Sequence, residues 1–179
     1  IDSLYRINIE WADYYRSRIN EFSIEKYELQ RIWAEKEPLN GSIFGDFDKE
    51  FNDNHKMFLV NSPDCSQYID LDSYQINIEK AETGALIVKG VEVDQEINLV
   101  NRQTKEIKRI SFFGSASRIE SVKWINDNIV VLYGIMDGKL IIKVIELKEL
   151  IYFLYVYPSV IKEKGNFNKA IRLKEVKFE

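Results

Sequence analysis

Residues 120–147 read ESVKWINDNIVVLYGIMDGKLIIKVIEL, three short apolar segments separated by tight turns. No other stretch constrains the fold as strongly. Asp137-Gly138 is a two-residue hairpin signal, because a type I′ turn needs positive φ at both central positions and Asp and Gly tolerate it. Asn126-Asp127-Asn128 serves the same purpose at the preceding turn. Segments rich in Val, Ile, Tyr and Trp suit a pleated, half-buried surface, and turns this short join only antiparallel neighbours. The stretch therefore predicts an antiparallel β-meander.

The same grammar extends upstream. Residues 57–61 and 67–71 flank Ser62-Pro63-Asp64, and residues 74–80 are separated from 85–91 by Glu82-Thr83-Gly84. Each pair predicts a hairpin. Residues 97–101 lead into 106–113, with Ile97, Leu99, Ile107, Ile110 and Phe112 as the expected inward side chains. Residues 150–157 form an apolar run ended by Pro158, which predicts a buried strand, and Ile171, Leu173 and Val176 suggest an edge strand near the end.

The first fifty-odd residues differ. Ile9, Ala12, Tyr15, Ile19 and Phe22 recur at steps of three or four and predict a helix over residues 9–22. Residues 24–34 fit either period, and a strand is the preferred reading. Pro38, Asn40, Gly41 and Gly45 mark a loop, after which Asp46 is placed to cap a short helix carrying Phe47 and Phe51. The expected class is thus mainly β, a β-rich α+β chain in a single domain. Residues 1–55 are its helix-containing segment, 57–157 its meander core, and 158–179 its tail.

Residues 96–112 (EINLVNRQTKEIKRISF) and 120–147 resemble blades of TolB-type β-propeller repeats, and Ser62-Pro63-Asp64 is similar to their SPDG turn, with Cys65 in place of the glycine. Size excludes a complete propeller: residues 57–157 number about 100, and even four blades of roughly 40 residues need more. About two blade-like sheets are expected. Ser62-Pro63-Asp64, the stretch Tyr68-Ile69-Asp70-Leu71-Asp72-Ser73-Tyr74, Asp94-Gln95-Glu96 and Trp124 with Asn126-Asp127-Asn128 also resemble a family of uncharacterised bacterial lipoproteins over roughly residues 36–147. That resemblance implies a cell-envelope or secreted address and no catalytic residues. The lipobox cysteine of such an anchor is not among these residues, and a start at Ile1 leaves it to an upstream piece.

Chemistry is sparsely signalled. With 25 Lys and Arg against 29 Asp and Glu, the net charge is -4 and there is no basic footprint for a phosphate backbone, so nucleic acid is not an expected partner. No apolar run is long enough to span a bilayer. The phosphate-cradling glycine motifs do not occur, and no cofactor is expected. Cys65 is the lone cysteine and His55 the lone histidine. Gly114-Ser115-Ala116-Ser117 lacks the second glycine of a nucleophile elbow. Trp11, Trp33 and Trp124 offer a carbohydrate-stacking surface only if they converge, and core packing is the default.

Two acidic clusters remain. Asp46, Asp48, Glu50, Asp53 and His55 crowd into ten residues and invite a metal reading, but Phe51 stands where an EF-hand loop needs glycine. A solvated acidic helix is the preferred reading and a metal site the alternative. Asp70 and Asp72 share one face of a predicted strand, where paired carboxylates could hold a cation or share a proton, with Tyr74 beside them. The plainer reading turns both carboxylates to solvent while Ile69 and Leu71 point inward. The expected function is a non-enzymatic binding domain offering a sheet face or edge to a protein or glycan, with a metal- or carboxylate-dependent enzyme as the alternative.

Overall fold

In a computed structural model, which describes residues 8–37, 39–41, 54–161 and 166–178, the hairpin turn at Asp137 and Gly138 takes φ of 50° and 76°. Both lie in the left-handed region that the type I′ turn requires. In chain order the elements are α1 (Ile9–Arg16), β1 (Glu28–Ala34), β2 (Leu39–Asn40), β3 (Val60–Asn61), β4 (Gln67–Asp70), β5 (Ile76–Lys80) and β6 (Leu86–Val91). There follow β7 (Gln95–Asn101), β8 (Ile107–Phe113), β9 (Ser117–Asn126), β10 (Ile129–Met136), β11 (Lys139–Glu146), β12 (Ile151–Val160) and β13 (Lys177–Phe178). The chain is mainly β, and among the described residues its sheets close into neither a barrel nor a propeller. No described helix is long and apolar enough to cross a membrane.

Two compact units form, one from Ile1–Glu37 with Ala116–Phe167 and the other from Pro38–Ser115 with Asn168–Glu179. The first unit is one sheet in the order β1-β12-β11-β10-β9, so the predicted meander β9 to β12 is intact and β1 joins it antiparallel. Pro158 does not end β12. Lys139 pairs with Val160 and Ile141 with Val156, so Pro158 falls in a bulge where its missing N–H breaks no ladder bond.

The predicted helix over residues 9–22 closes at Arg16. Ser17 caps it, Glu21 takes φ 55°, and Phe22 turns back to stack on Tyr157 at 5.5 Å. Its apolar spacing thus serves a helix followed by a turn. Asn8 begins α1 by accepting from the Trp11 backbone N–H at 3.2 Å, while its amide donates to Ser121 of β9 at 2.7 Å.

Beneath α1, Glu120 sits in a β9 bulge with no exposed surface. It accepts from Tyr15 Oη at 2.6 Å, Trp11 Nε1 at 3.2 Å and Arg118 Nε at 3.0 Å. Burial, with the Glu120 charge, pushes the Tyr15 hydroxyl far up and keeps it a donor. The bulge brings the Arg118 carbonyl against Gly134, where any Cβ would collide with that oxygen. Only glycine fits this approach.

The second unit holds a five-stranded sheet, β2-β8-β7-β4-β3, and a three-stranded sheet, β13-β6-β5. The two five-stranded sheets correspond to the expected blade-like pair; the third is the β5–β6 hairpin with β13 running parallel to β6. The predicted edge strand near the end shrinks to β13, because Asn168–Arg172 winds as a π-helical turn. Leu173 and Val176 instead pack with Phe58, Ile76, Ile78 and Val88 in the core of this unit. In β8 the expected inward Phe112 is 47% exposed and Phe113 is buried. Ile97 pairs with Ser111 but Asn98 with Arg109, and the extra residue reverses the alternation beyond it.

At the Ser62-Pro63-Asp64 turn, Cys65 takes φ 59°, a conformation that glycine adopts at no steric cost. Asp64 holds the turn, accepting from Ser62 Oγ at 2.7 Å and from Ser66 N and Oγ at 2.9 and 2.8 Å.

Candidate functional site

Asp70 and Asp72 are buried, each 2% exposed, between Ile69 and Leu71, which are fully buried. The expectation of solvent-facing carboxylates is overturned, because β4 and its neighbour β7 are buried on both faces and period-2 alternation then puts polar residues inside. The two carboxylates take different partners. Asp70 closes the turn into β5, accepting from the backbone N–H groups of Asp72 and Ser73 at 3.0 Å each and from the Ser73 hydroxyl. Burial pushes its carboxyl up, and the Ser73 bonds pull the other way. Asp72 turns to Arg172, whose guanidinium meets both its oxygens at 2.5 and 3.3 Å. Tyr74 packs edge-on against Phe112 at 6.3 Å. This constellation ties the final segment to β4 and β5 and has the geometry of a structural clasp.

Of the other acidic cluster, Asp46, Asp48, Glu50 and Asp53 lie outside the described residues, as does the helix expected after Asp46. His55 is described and buried. Among the described residues no three His, Cys, Asp or Glu side chains converge on a metal position. The tryptophans do not gather into a stacking surface: Trp11 on α1 is buried in the core, while Trp33 on β1 and Trp124 on β9 stand at opposite edges of one sheet.

The first unit carries a concave feature. Val131, Val144 and Phe153 face one another across β10, β11 and β12, and Tyr133, Ile142 and Tyr155 form the next row on the same face. Trp11 packs on Tyr133 at 5.3 Å, so α1 covers that end. Beyond it the face is open and concave, leaving a groove of about 370 Å³ whose apolar lining runs from Tyr133 through Val131 and Val144 to Ile125. Its far rim is polar: Asn128 Nδ2 donates to Glu146 Oε1 at 3.2 Å, and Asn128 Oδ1 accepts from Lys148 N at 2.8 Å. An apolar wall with a few fixed polar groups is the usual make-up of a small binding pocket.

No family model, curated protein or solved structure matches this chain. Function must therefore be argued from the chemistry of the groove. It holds no nucleophile beside a base, so what it can do is desolvate an apolar group and offer the Glu146 carboxylate at its rim.

On the opposite face of the same sheet, Lys143 is 8% exposed within the apolar run Leu140–Ile145. Trp33 and Tyr152 stack at 5.0 Å and 9°, and the Lys143 ammonium lies 5.1 Å and 4.8 Å from their ring centres. Desolvation lowers its pKa to about 8, with Glu35 opposing. The signal was a lysine inside a run of buried β-branched residues, and Glu120 left a similar one.

Between about pH 8 and the unfolded value near 10.5, the unfolded chain holds more protons at this site, so the Lys143 contribution to stability rises with pH across that window. Lys143→Met removes the penalty. It is expected to stabilise the protein by about 2 kcal/mol at pH 7, and by progressively less towards pH 10.5. Urea unfolding of both proteins at a series of pH values checks it, and a pH-independent difference would contradict it.

Proposed function

We propose that this chain is a non-enzymatic binding domain that takes an apolar or aromatic side chain of a protein partner into the groove of the first unit. The carrying observation is the open cavity of about 370 Å³ between β10, β11 and β12, apolar in lining and edged by Glu146. A volume of this order suits one aromatic side chain with its flanking atoms. A cell-envelope or secreted address accompanies this reading through the resemblance of residues 36–147 to bacterial lipoproteins. Asp70, Asp72 and Tyr74 support the fold of the second unit in this reading and contact no ligand.

Indole and p-cresol, the side-chain analogues of Trp and Tyr, are suitable probes. Titrated into labelled protein, they are expected to give saturable NMR shifts centred on Val131, Val144 and Phe153. Val144→Trp, which fills the groove, is expected to weaken them about tenfold or more, equivalent to ~1.4 kcal/mol per decade, with the remaining spectrum unchanged. Shifts that never saturate, or that persist in Val144→Trp, would overturn the proposal.

A further inference from the structure

β1 is the outermost strand of the first unit's sheet, bonded on one side to β12 and on the other to no described strand. Six of its seven residues are exposed. Leu29 and Ile32 stand out at 48% and 55% exposure. An unpaired edge that exposes apolar side chains is a template for another strand.

The bulge in β1 decides which strand fits. Leu29 pairs with Tyr155 and Ile32 with Phe153, so both project from the groove face although they are three residues apart. Arg31 and Trp33 pair with Leu154 and Tyr152 and project from the other face, with Gln30 the inserted residue. A second copy of β1, antiparallel and two-fold related about the Gln30–Arg31 bond, sets Leu29 of each copy opposite Ile32 of the other. Faces match at the Leu29–Ile32 pairs and at the Glu28–Trp33 pairs that flank them.

Neighbouring registers fail on the same criteria. A shift of one residue one way sets Arg31 against Arg31. The other way sets Leu29 against Arg31, which projects from the opposite face. Like charges directly opposite one another destabilise a strand pair.

We infer that β1 is a self-association edge, where two copies of this chain join antiparallel, Leu29 against Ile32, into one continuous ten-stranded sheet. The interface is isologous, as a two-fold dimer requires. A contact between seven-residue edges is at the small end of specific interfaces, so the dimer forms as a concentration-dependent equilibrium. Ile32 and Leu29 pair with Phe153 and Tyr155, which line the groove, so the pairing edge and the groove adjoin on one face.

Sedimentation of the full chain over a concentration series reads the association directly. A reversible monomer–dimer equilibrium is expected. Ile32→Lys, which opposes an apolar Leu29 with a charge, is expected to weaken it about tenfold or more, ~1.4 kcal/mol per decade. The double variant Leu29→Lys with Ile32→Glu places Lys opposite Glu at both pairs and is expected to restore dimerisation in a form that weakens with salt. Both positions are exposed, and tryptophan fluorescence monitors folding of each variant. A chain monomeric at every concentration, a dimer indifferent to Ile32→Lys, or a folded double variant that stays monomeric would each overturn the inference.

Discussion

Glu120→Ala is expected to destabilise the first unit by about 4 kcal/mol, since it strips a fully buried carboxylate from three donors at once. Trp11 and Tyr15 hold α1 to the sheet through this one side chain, and their donors would be left in an apolar interior. Against a typical stability of about 5–15 kcal/mol the loss is large. Trp11, Trp33 and Trp124 all belong to the first unit, so intrinsic tryptophan fluorescence during thermal or urea unfolding reports on it selectively. Glu120→Gln keeps one acceptor oxygen and is expected to cost about half as much. Equal losses for the two variants would show that α1 is held by ring packing instead of by these bonds.

The second large effect belongs to the other unit. Arg172→Ala leaves Asp72 buried at 2% exposure without its partner, and an uncompensated buried charge of this kind costs about 3–5 kcal/mol. The loss is expected to concentrate where the clasp acts, on Leu173, Val176 and the β5–β6 hairpin they pack against. Hydrogen exchange read residue by residue should show protection falling first in Ile76–Lys80 and Leu86–Val91. Replacing the pair together, Asp72→Leu with Arg172→Leu, is expected to recover most of the stability, because an apolar pair removes both desolvation costs. A double variant as unstable as Arg172→Ala would show that the loss comes from the arginine stem and its packing, not from the orphaned charge.

Both effects rest on charged residues that reading the chain by strand periodicity places at the surface. Asp70 and Asp72 alternate with Ile69 and Leu71, and alternation predicts one wet face. That prediction assumes a sheet with a dry side and a wet side. β4 and β7 are covered on both, and the pattern then marks polar residues that need internal partners. Those partners are distant in sequence, Arg172 lying a hundred residues from Asp72. No local pattern could have named it. The acidic stretch around Asp46 illustrates the converse: a dense cluster with no spacing that singles out a ligand geometry.

What the residues alone determined are the properties that depend on neighbours a few positions apart. Hairpins at Asp137-Gly138 and around Ser62-Pro63-Asp64 follow from the φ angles their turns need, the one at Asn126-Asp127-Asn128 from the Asn126 side chain accepting from the backbone of Asn128 and Ile129, and the mainly antiparallel class from those turns being too short for anything else. Tertiary structure decided whatever depends on chain segments far apart. It placed β1 beside β12, set the bulges that turned Phe112 outward and kept Pro158 in a strand, and buried Glu120, Lys143 and Asp72. It also hollowed the groove between β10 and β12. The physical reason is that turn geometry is a local energy, whereas burial is a property of the surface that remains after distant strands have met, and only the folded sheet defines which side chains lose water.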